Sequence, residues 1–514
     1  MDSQGAGARR WWALGAMVFA VLAVGIDVTI LSVALPTLAV RLDASTSQLQ
    51  WFLSAYTLVF AGAMMPAGML GDRFGRKRLL LIALVVFGGG SLACAYAPSA
   101  DVFIAARAVL GLGGAVVLPM VLAVLPALFC ERERPRAVGV MMTATMLGFP
   151  IGPILGGWLL THYSWGTVFL INVPVVVVAL IAVAALLPES RSSARASLDL
   201  VGVVASMTGL TVLVYGVIEA GQNGWGDTGA VVALIAGVVV LAAFVAWERR
   251  VRDPLVDLSL FGSRTFTWAT ILMSVVSFAM FGVLFAAPQY FQAVLGTDAL
   301  GSGMRLLPLV GGMIAGAVVA GPLARWAGVK AAVALGFAVL AAGMFAGAST
   351  SVTNASGWAA VWTAICGLGL GFAMPTALDA ALGELSLQRS GVGSALLQAV
   401  RMIGGSLGSA ILGSLINAGY RGRLDLAGLP PTAASAVRKS VTDGVAVAHK
   451  LDSVALMYSV RGAFVHAMDL ALVACGGLAA VGVALALAFL PQRIRAKTAA
   501  GAQPPRAKDS RIAA

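Results

Sequence analysis

The chain reads as long apolar blocks separated by short polar ones. A helix needs about 20 apolar residues to cross the hydrocarbon core of a bilayer. On that rule, helices are predicted near 11–39, 47–69, 79–97, 101–128, 137–160 and 165–187. Two more follow near 200–219 and 229–247. The last six lie near 267–294, 302–321, 331–350, 357–382, 391–416 and 462–490, which makes fourteen spans. The first block, from Trp11 to Val40, is too long for a signal-peptide core and ends in no small-residue cleavage site, so it reads as a retained helix.

Composition gives the same class. Hydrophobic residues are 60% and charged residues only 11% of 514 positions. A soluble fold of that length needs far more polar residues to cover its cores, so this chain uses lipid as solvent. The net charge of +12 could indicate a nucleic-acid partner, but its distribution argues against one. Basic residues collect in alternate loops: Arg9 and Arg10, Arg73 to Arg78, Arg132 to Arg136, Arg191 and Arg195, Arg249 to Arg264, Arg325 and Lys330, Arg389, and the tail from Arg493. Cytoplasmic loops carry that excess, so both termini are expected in the cytoplasm. One long loop on the other side, 417–461, is also basic, but long loops weigh little in the rule. Its Pro430-Pro431-Thr432 start predicts an extracellular helical hairpin. The polar tail, 491–514, is expected to be disordered. Four widely spaced cysteines have no metal-ligand spacing, so neither a metal nor a disulfide is expected.

The stretch GMLGDRFGRK, Gly68 to Lys77, opens a run of five charges between Asp72 and Arg78 in a chain poor in charge. Its frame returns as GPLARWAGVK, Gly321 to Lys330. The echo sets the loop after the tenth span in register with the loop after the second. The chain then divides into a six-helix bundle over 1–187, two inserted helices with linkers over 188–266, and a second six-helix bundle over 267–490. Parallel repeats of this kind occur in one large class of secondary transporters.

The signature loop resembles that of the major facilitator superfamily. IDVTILSVALP (Ile26 to Pro36), RAVLGLGGA (Arg107 to Ala115) and GFPIGPILGGWL (Gly148 to Leu159) resemble motifs of its drug:proton antiporters. FLINVP (Phe169 to Pro174), YGVIEA (Tyr215 to Ala220) and GVGSALLQAVRMIGGSLG (Gly391 to Gly408) point to the fourteen-helix branch. The likeness covers Trp11 to about Leu490 and says little about substrate. It implies an all-α integral membrane fold with 14 transmembrane helices in a 6+2+6 arrangement. The chain departs from the pattern at Ser32, where Asn is usual, and at Leu110, where Gln is usual. Gly166 and Thr167 stand in place of a common Arg-Trp, which removes a charge at the outer end of the sixth span.

The motifs suggest physical roles. Gly68 and Gly75 permit close approach of helix ends. Asp72 suits the positive N-terminus of a helix, and the resemblance implies the helix beginning near Gly391. Arg73 and Arg76 can pair with nearby acids. The loop then reads as a conformational latch closing the cytoplasmic side; the simpler alternative is a topology anchor. Pro150 and Pro153 among Gly148, Gly152, Gly156 and Gly157 suggest a bending helix with a close-packed face, which the family pattern ties to export. Packing alone remains the alternative.

Ionisable residues at membrane depth are functional candidates by default. Asp27 lies about 24 Å along the first span and Arg107 about 9 Å from the outer face by helical rise, at similar depths. Asp27 is the expected proton carrier, with Arg107 as its switchable partner; a permanent structural bridge is the alternative. Asp469 is the next proton candidate, and His466, one turn earlier, is expected to hydrogen-bond it. Gln398 and Arg401 are candidate polar groups of the second bundle or of a substrate site. Glu219 and Asp379 lie near helix ends, where function and snorkelling remain equal readings.

No Gly-Lys dipeptide occurs, so there is no phosphate loop for ATP. Transport must draw on an ion gradient, and isolated carboxyls suit protons. The expected function is a proton-coupled antiporter exporting amphipathic or cationic drugs across a bacterial inner membrane, with no cofactor, no nucleic acid and a monomer sufficient. An exporter dedicated to one endogenous natural product is the close alternative. A sensor would need an added soluble domain, and a membrane enzyme would need a denser cluster of His, Cys or carboxylates.

Overall fold

The computed structural model describes residues 3–129, 133–187, 189, 199–252, 254–352, 356–385 and 390–492. The expected disorder of 491–514 concerns residues that, from 493 on, lie outside this set, as do Arg132, Arg191, Arg195 and Arg389. In chain order the helices are α1 (Ser3–Arg41), α2 (Thr46–Phe74), α3 (Arg76–Ala95), α4 (Ala100–Leu128), α5 (Arg134–His162), α6 (Thr167–Leu170), α7 (Asn172–Leu186), α8 (Leu200–Asn223) and α9 (Thr228–Glu248). A 3-10 turn (Leu258–Gly262) leads to α10 (Arg264–Gln289), which continues as a π turn (Tyr290–Val294). There follow α11 (Ala299–Arg305), α12 (Leu307–Ala327), α13 (Val329–Gly347), α14 (Ser356–Gly383), α15 (Ser390–Arg423), α16 (Pro431–Lys439), α17 (Val441–Lys450) and α18 (Val454–Phe489). The described residues include no strand.

Among the described residues, thirteen helical stretches are long and apolar enough to cross a membrane. The remaining predicted position is filled by α5, a helix of 29 residues. Two spans are broken: α6 passes into α7 near Ile171, and α11 into α12 at Leu306, where Pro308 enters a first turn that needs no proline N–H. Helices α15 and α18 run past the predicted apolar limits into the 417–461 loop. The extension is held from above. Tyr420 Oη donates to the Val437 carbonyl at 2.9 Å, and Val460 is fully buried under α17.

Helices α1 to α7 pack chiefly on one another, as do α10 and α12 to α18, while α11 lies chiefly against α5. The pair α8–α9 docks as a hairpin through α8, which lies against α2 and α15. Ser414 Oγ donates to the Val217 carbonyl at 2.9 Å and Asn417 to that of Gly221 at 3.1 Å, tying α15 to α8. Helix α9 is the outermost: Val231, Val232, Ile235, Val238 and Val239 all face outward. Such an apolar surface is stable only against lipid.

The sequence echo has a structural counterpart. Gly75 joins α2 to α3 with φ +108°, and Gly328 joins α12 to α13 with φ +89°. Side chains disfavour that region, so glycine is required at both joints. Each joint is covered by residues just beyond the last helix of its own group. A Cβ at Gly75 would meet the Glu189 carboxylate, and one at Gly328 would meet the Gln492 carbonyl.

Candidate functional site

The most deeply buried charges are Asp27 on α1 and Arg107 on α4, with side chains 0% and 1% exposed. Arg107 Nη1 donates to Asp27 Oδ2 at 2.7 Å. Its Nε donates to the Phe52 carbonyl of α2 at 3.1 Å, and its guanidinium lies 4.5 Å from the centroid of the Tyr56 ring. One arginine thus joins three helices. Among the described residues, Asp27 Oδ1 and the Tyr56 hydroxyl are buried without a hydrogen-bond partner. A carboxylate oxygen in that position is able to take a proton. Asn172 stands beside the pair and donates to Ser91 at 3.1 Å.

On either side of Asp27, Gly25 and Val28 line a narrow cavity between the two helix groups. Phe60 and Val117 close it from the first group; Phe281, Gln398, Arg401 and Met402 close it from the second. At about 40 Å³ it holds water rather than a drug-sized molecule in this conformation. Arg401 Nε is buried and has no partner.

The α5 glycines form a face against α1. A Cβ at Gly148 would lie 2.9 Å from the Gly25 carbonyl carbon, one at Gly152 would meet Thr29 Oγ1, and one at Gly156 would lie 2.5 Å from Ile30 Cγ1. Thr29 Oγ1 also donates to the Gly148 carbonyl at 3.4 Å. Ser32, the departure from the family pattern, donates to the Thr29 carbonyl at 2.7 Å and stays within α1. One position further round, Gly157 meets Ala299 and Leu300, while the Pro153 carbonyl sits under Gly303. The motif therefore touches both groups. Helix α5 runs unbroken through both prolines; the Pro150 side chain lies outside the described residues.

The signature loop is tied to its own group. Arg76 clamps Asp72 Oδ1 at 2.8 Å and donates to the Ala123 carbonyl at 2.8 Å. Lys77 Nζ donates to the Ala184 carbonyl at 2.7 Å, Arg78 approaches Glu189 at 3.7 Å, and Arg73 lies over Phe74. Gly68 has nothing within 4 Å of where a Cβ would stand, so the close approach expected there is not made in this conformation.

Between described residues, every hydrogen bond and ion pair joining α1–α7 to α10–α18 lies toward the hairpin face. Gln50 donates to the Ala410 carbonyl at 3.0 Å and Gln292 to that of Val33 at 2.9 Å. Thr46 donates to the Lys439 carbonyl at 3.1 Å, and Lys439 pairs with Asp43. Sequence reasoning missed Gln50, Tyr56 and Gln292. A lone Gln in an apolar helix was the only available signal for two of them.

His466 and Asp469 on α18 do not hydrogen-bond each other, contrary to expectation; Asp469 Oδ1 is buried without a partner near Tyr290. The described residues contain no group of three or more His, Cys, Asp or Glu side chains able to hold a metal.

Two packed helix groups, a helix hairpin docked on them, a buried ion pair and a cavity shared between the groups suit a membrane transporter. A family model described as Major Facilitator Superfamily matches residues 17–409, and the chain belongs to that family. It is a transporter and a multi-pass protein of the bacterial inner membrane. Its relatives include the tetracenomycin C resistance and export protein of Streptomyces glaucescens, 33% identical over 491 residues, 93% of this chain and 91% of that protein. The multidrug efflux pump LfrA of Mycolicibacterium smegmatis is 33% identical over 464 residues, 89% and 91% of the two chains. The methyl viologen resistance protein SmvA of Salmonella typhimurium is 31% identical over 495 residues, 94% and 100%. Among solved structures, an inward-facing, unoccupied bacterial homologue of the human lysosomal transporter Spinster aligns with TM-score 0.68 at 17% identity, covering 93% of this chain and 96% of that one.

Proposed function

We propose that the chain is a proton-coupled efflux antiporter that exports amphipathic small molecules by alternating access. The observation that carries this reading is the buried Asp27–Arg107 pair, flanked by residues that line a cavity shared by both helix groups. An ionised carboxylate at that depth is stable only while the guanidinium faces it. Any motion that draws α4 or α2 away from α1 favours protonation, and the return of Arg107 expels the proton. Substrate entering beside Gly25 and Val28 would wedge the same helices, which links release to proton uptake.

On this reading the hairpin face is outside and the signature loop is cytoplasmic. The Gln50, Gln292 and Lys439 contacts close the outer gate, and the conformation is open toward the cytoplasm. In the opposite state Asp72 leaves Arg76 and caps the start of α15, while Gly68 receives its close neighbour. No cofactor is required, because the proton gradient does the work.

Relatives named for multidrug efflux and for methyl viologen resistance favour a broad exporter. A relative named for tetracenomycin C export supports the second reading, export of one natural product. A susceptibility panel in an efflux-deficient bacterial host tests both. Resistance to unrelated amphipathic compounds supports the broad reading, and resistance to one scaffold supports the second. No change in resistance, with the protein verified in the membrane, would overturn transport of drugs.

A further inference from the structure

The central cavity has an electrostatic character that the antiporter reading leaves open. Its walls from the first group are Val24, Val28 and Phe60, and from the second Phe281, Gln398 and Arg401. Arg401 is the one charged residue of that lining. It makes no ion pair or hydrogen bond to another described residue, and its Nε is enclosed. The Asp27 carboxylate, on the helix that carries Gly25 and Val28, is engaged by Arg107 at 2.7 Å and is not paired with Arg401. Arginine cannot shed its charge as a buried lysine can. A permanent cation therefore faces an otherwise apolar space reached by both groups.

Bundle organisation, the plainer role for Arg401, would need partners within α10–α18, and the described residues supply none. The remaining occupant for the guanidinium fork is something that enters the cavity. A cationic ligand would meet a like charge at short range in a medium of low dielectric. A carboxylate or ionised phenol would meet a planar fork suited to two parallel hydrogen bonds. Gln398, one turn before Arg401, adds a neutral donor and acceptor on the same helix face.

We infer that Arg401, assisted by Gln398, is the polar anchor of the transport site and selects amphipathic substrates that carry an acidic oxygen on an apolar body. The inference rests on the antiporter reading for the location of the site. It narrows the substrate to weak organic acids, including phenolic polycyclic compounds, and sets cationic drugs as poor substrates. The Val24, Val28, Phe60 and Phe281 surfaces hold the body, and the cavity must widen around it as the groups move.

Three probes share one pyrene body: 1-pyrenebutyrate, 1-pyrenebutanol and 1-pyrenemethylamine. Binding to the purified full-length protein is read by energy transfer from tryptophan to pyrene, with protein-free micelles as background. Proton flux on probe addition is read separately in proteoliposomes with an acidic lumen, as the excess over protein-free liposomes, because a lipophilic amine or acid carries protons across lipid unaided. A charge-assisted hydrogen bond contributes about 1.5–3 kcal/mol, so the carboxylate should bind about tenfold or more tighter than the alcohol. The amine should bind weakest. Arg401→Gln should erase that order, and Arg401→Lys should restore part of it. A merely structural role would alter all three probes together, leaving their order intact. Equal or tighter binding of the amine or alcohol by the native protein overturns the inference. So does an unchanged order in Arg401→Gln, or no binding of the carboxylate. The proton readout separates the two proposals: the expected binding order without proton flux from any probe sinks the antiporter reading alone. Flux evoked by the amine and not by the carboxylate sinks only the anion site.

Discussion

Replacing Gly148 or Gly152 by Ala should loosen the contact between α1 and α5 while changing a single carbon. At Gly148 the added Cβ would lie 2.9 Å from the Gly25 carbonyl carbon and 3.0 Å from its Cα, about 0.5 Å inside the 3.4 Å at which ordinary contact begins. Both neighbours are backbone, so no side chain can rotate away. At Gly152 the new atom would meet Thr29 Oγ1, with the Ile26 carbonyl oxygen at 3.0 Å and the Ile30 nitrogen at 3.1 Å. Rotating Thr29 relieves the first clash and breaks its bond to the Gly148 carbonyl. Overpacking of this kind costs about 1–3 kcal/mol. Gly139 supplies an internal control, because it lies on the same helix, is exposed, and has nothing within 4 Å of a Cβ. There Ala gains up to about 1 kcal/mol of helix propensity. Thermal unfolding in detergent, followed by size-exclusion fluorescence, should show Gly148→Ala and Gly152→Ala melting about 2 °C or more below the native protein. Gly139→Ala should melt at or above it. Native melting temperatures for both Gly148→Ala and Gly152→Ala would refute the close-packed face.

Pro153→Ala should keep the protein folded and slow efflux, because a restored N–H stiffens α5 where its carbonyl meets Gly303; native efflux rates in vesicles would count against a bending role. Asp72→Asn should insert normally, slow transport, and shift disulfide trapping between cysteines placed at Arg73 and Gly391 toward the separated state. Unchanged trapping and transport would leave the loop as a topology anchor. Burial at the hairpin raises the Asp443 carboxyl above the usual carboxylate range, against the opposing hydrogen bond from Ser440 and the charge of Lys439. A raised carboxyl stabilises the docked hairpin fully below the unfolded value of about 3.9 and loses that contribution as pH climbs through the folded value. Protection factors across 441–450, taken against the intrinsic amide exchange rate at each pH, should therefore rise on acidification toward pH 4, and Asp443→Asn should flatten the dependence. Protection that falls in acid would reverse the sign and reject the account.

Much of this architecture was legible in the sequence because the bilayer imposes a length rule on every span. Thirteen of the apolar blocks appear as candidate spans and the other as a helix of 29 residues. The Asp27–Arg107 contact was legible too, since equal depth on two helices of known direction puts the side chains within reach. The limits of α15 and α18 were not, because their extra turns are held by Tyr420 and Val460 under the hairpin rather than by lipid. The His466–Asp469 bond failed for a related reason. Spacing on one helix gives proximity of backbone positions, but rotamers answer to neighbouring helices. Whether Arg401 has a partner depends on side chains from helices distant in sequence, so no local pattern reveals that it has none among the described residues.

The central claim is that Asp27 carries the coupled proton. The most direct test is Asp27→Asn in proteoliposomes, with substrate-induced proton release and proton-driven uptake measured on the same preparation. In the variant Arg107 retains the Phe52 carbonyl, the Tyr56 ring and a neutral acceptor at position 27, so protein should remain in the membrane. The account predicts that substrate still binds, that its binding releases no protons, and that an acidic lumen no longer drives uptake. Proton release and uptake at native levels would contradict it and pass the role to Asp469.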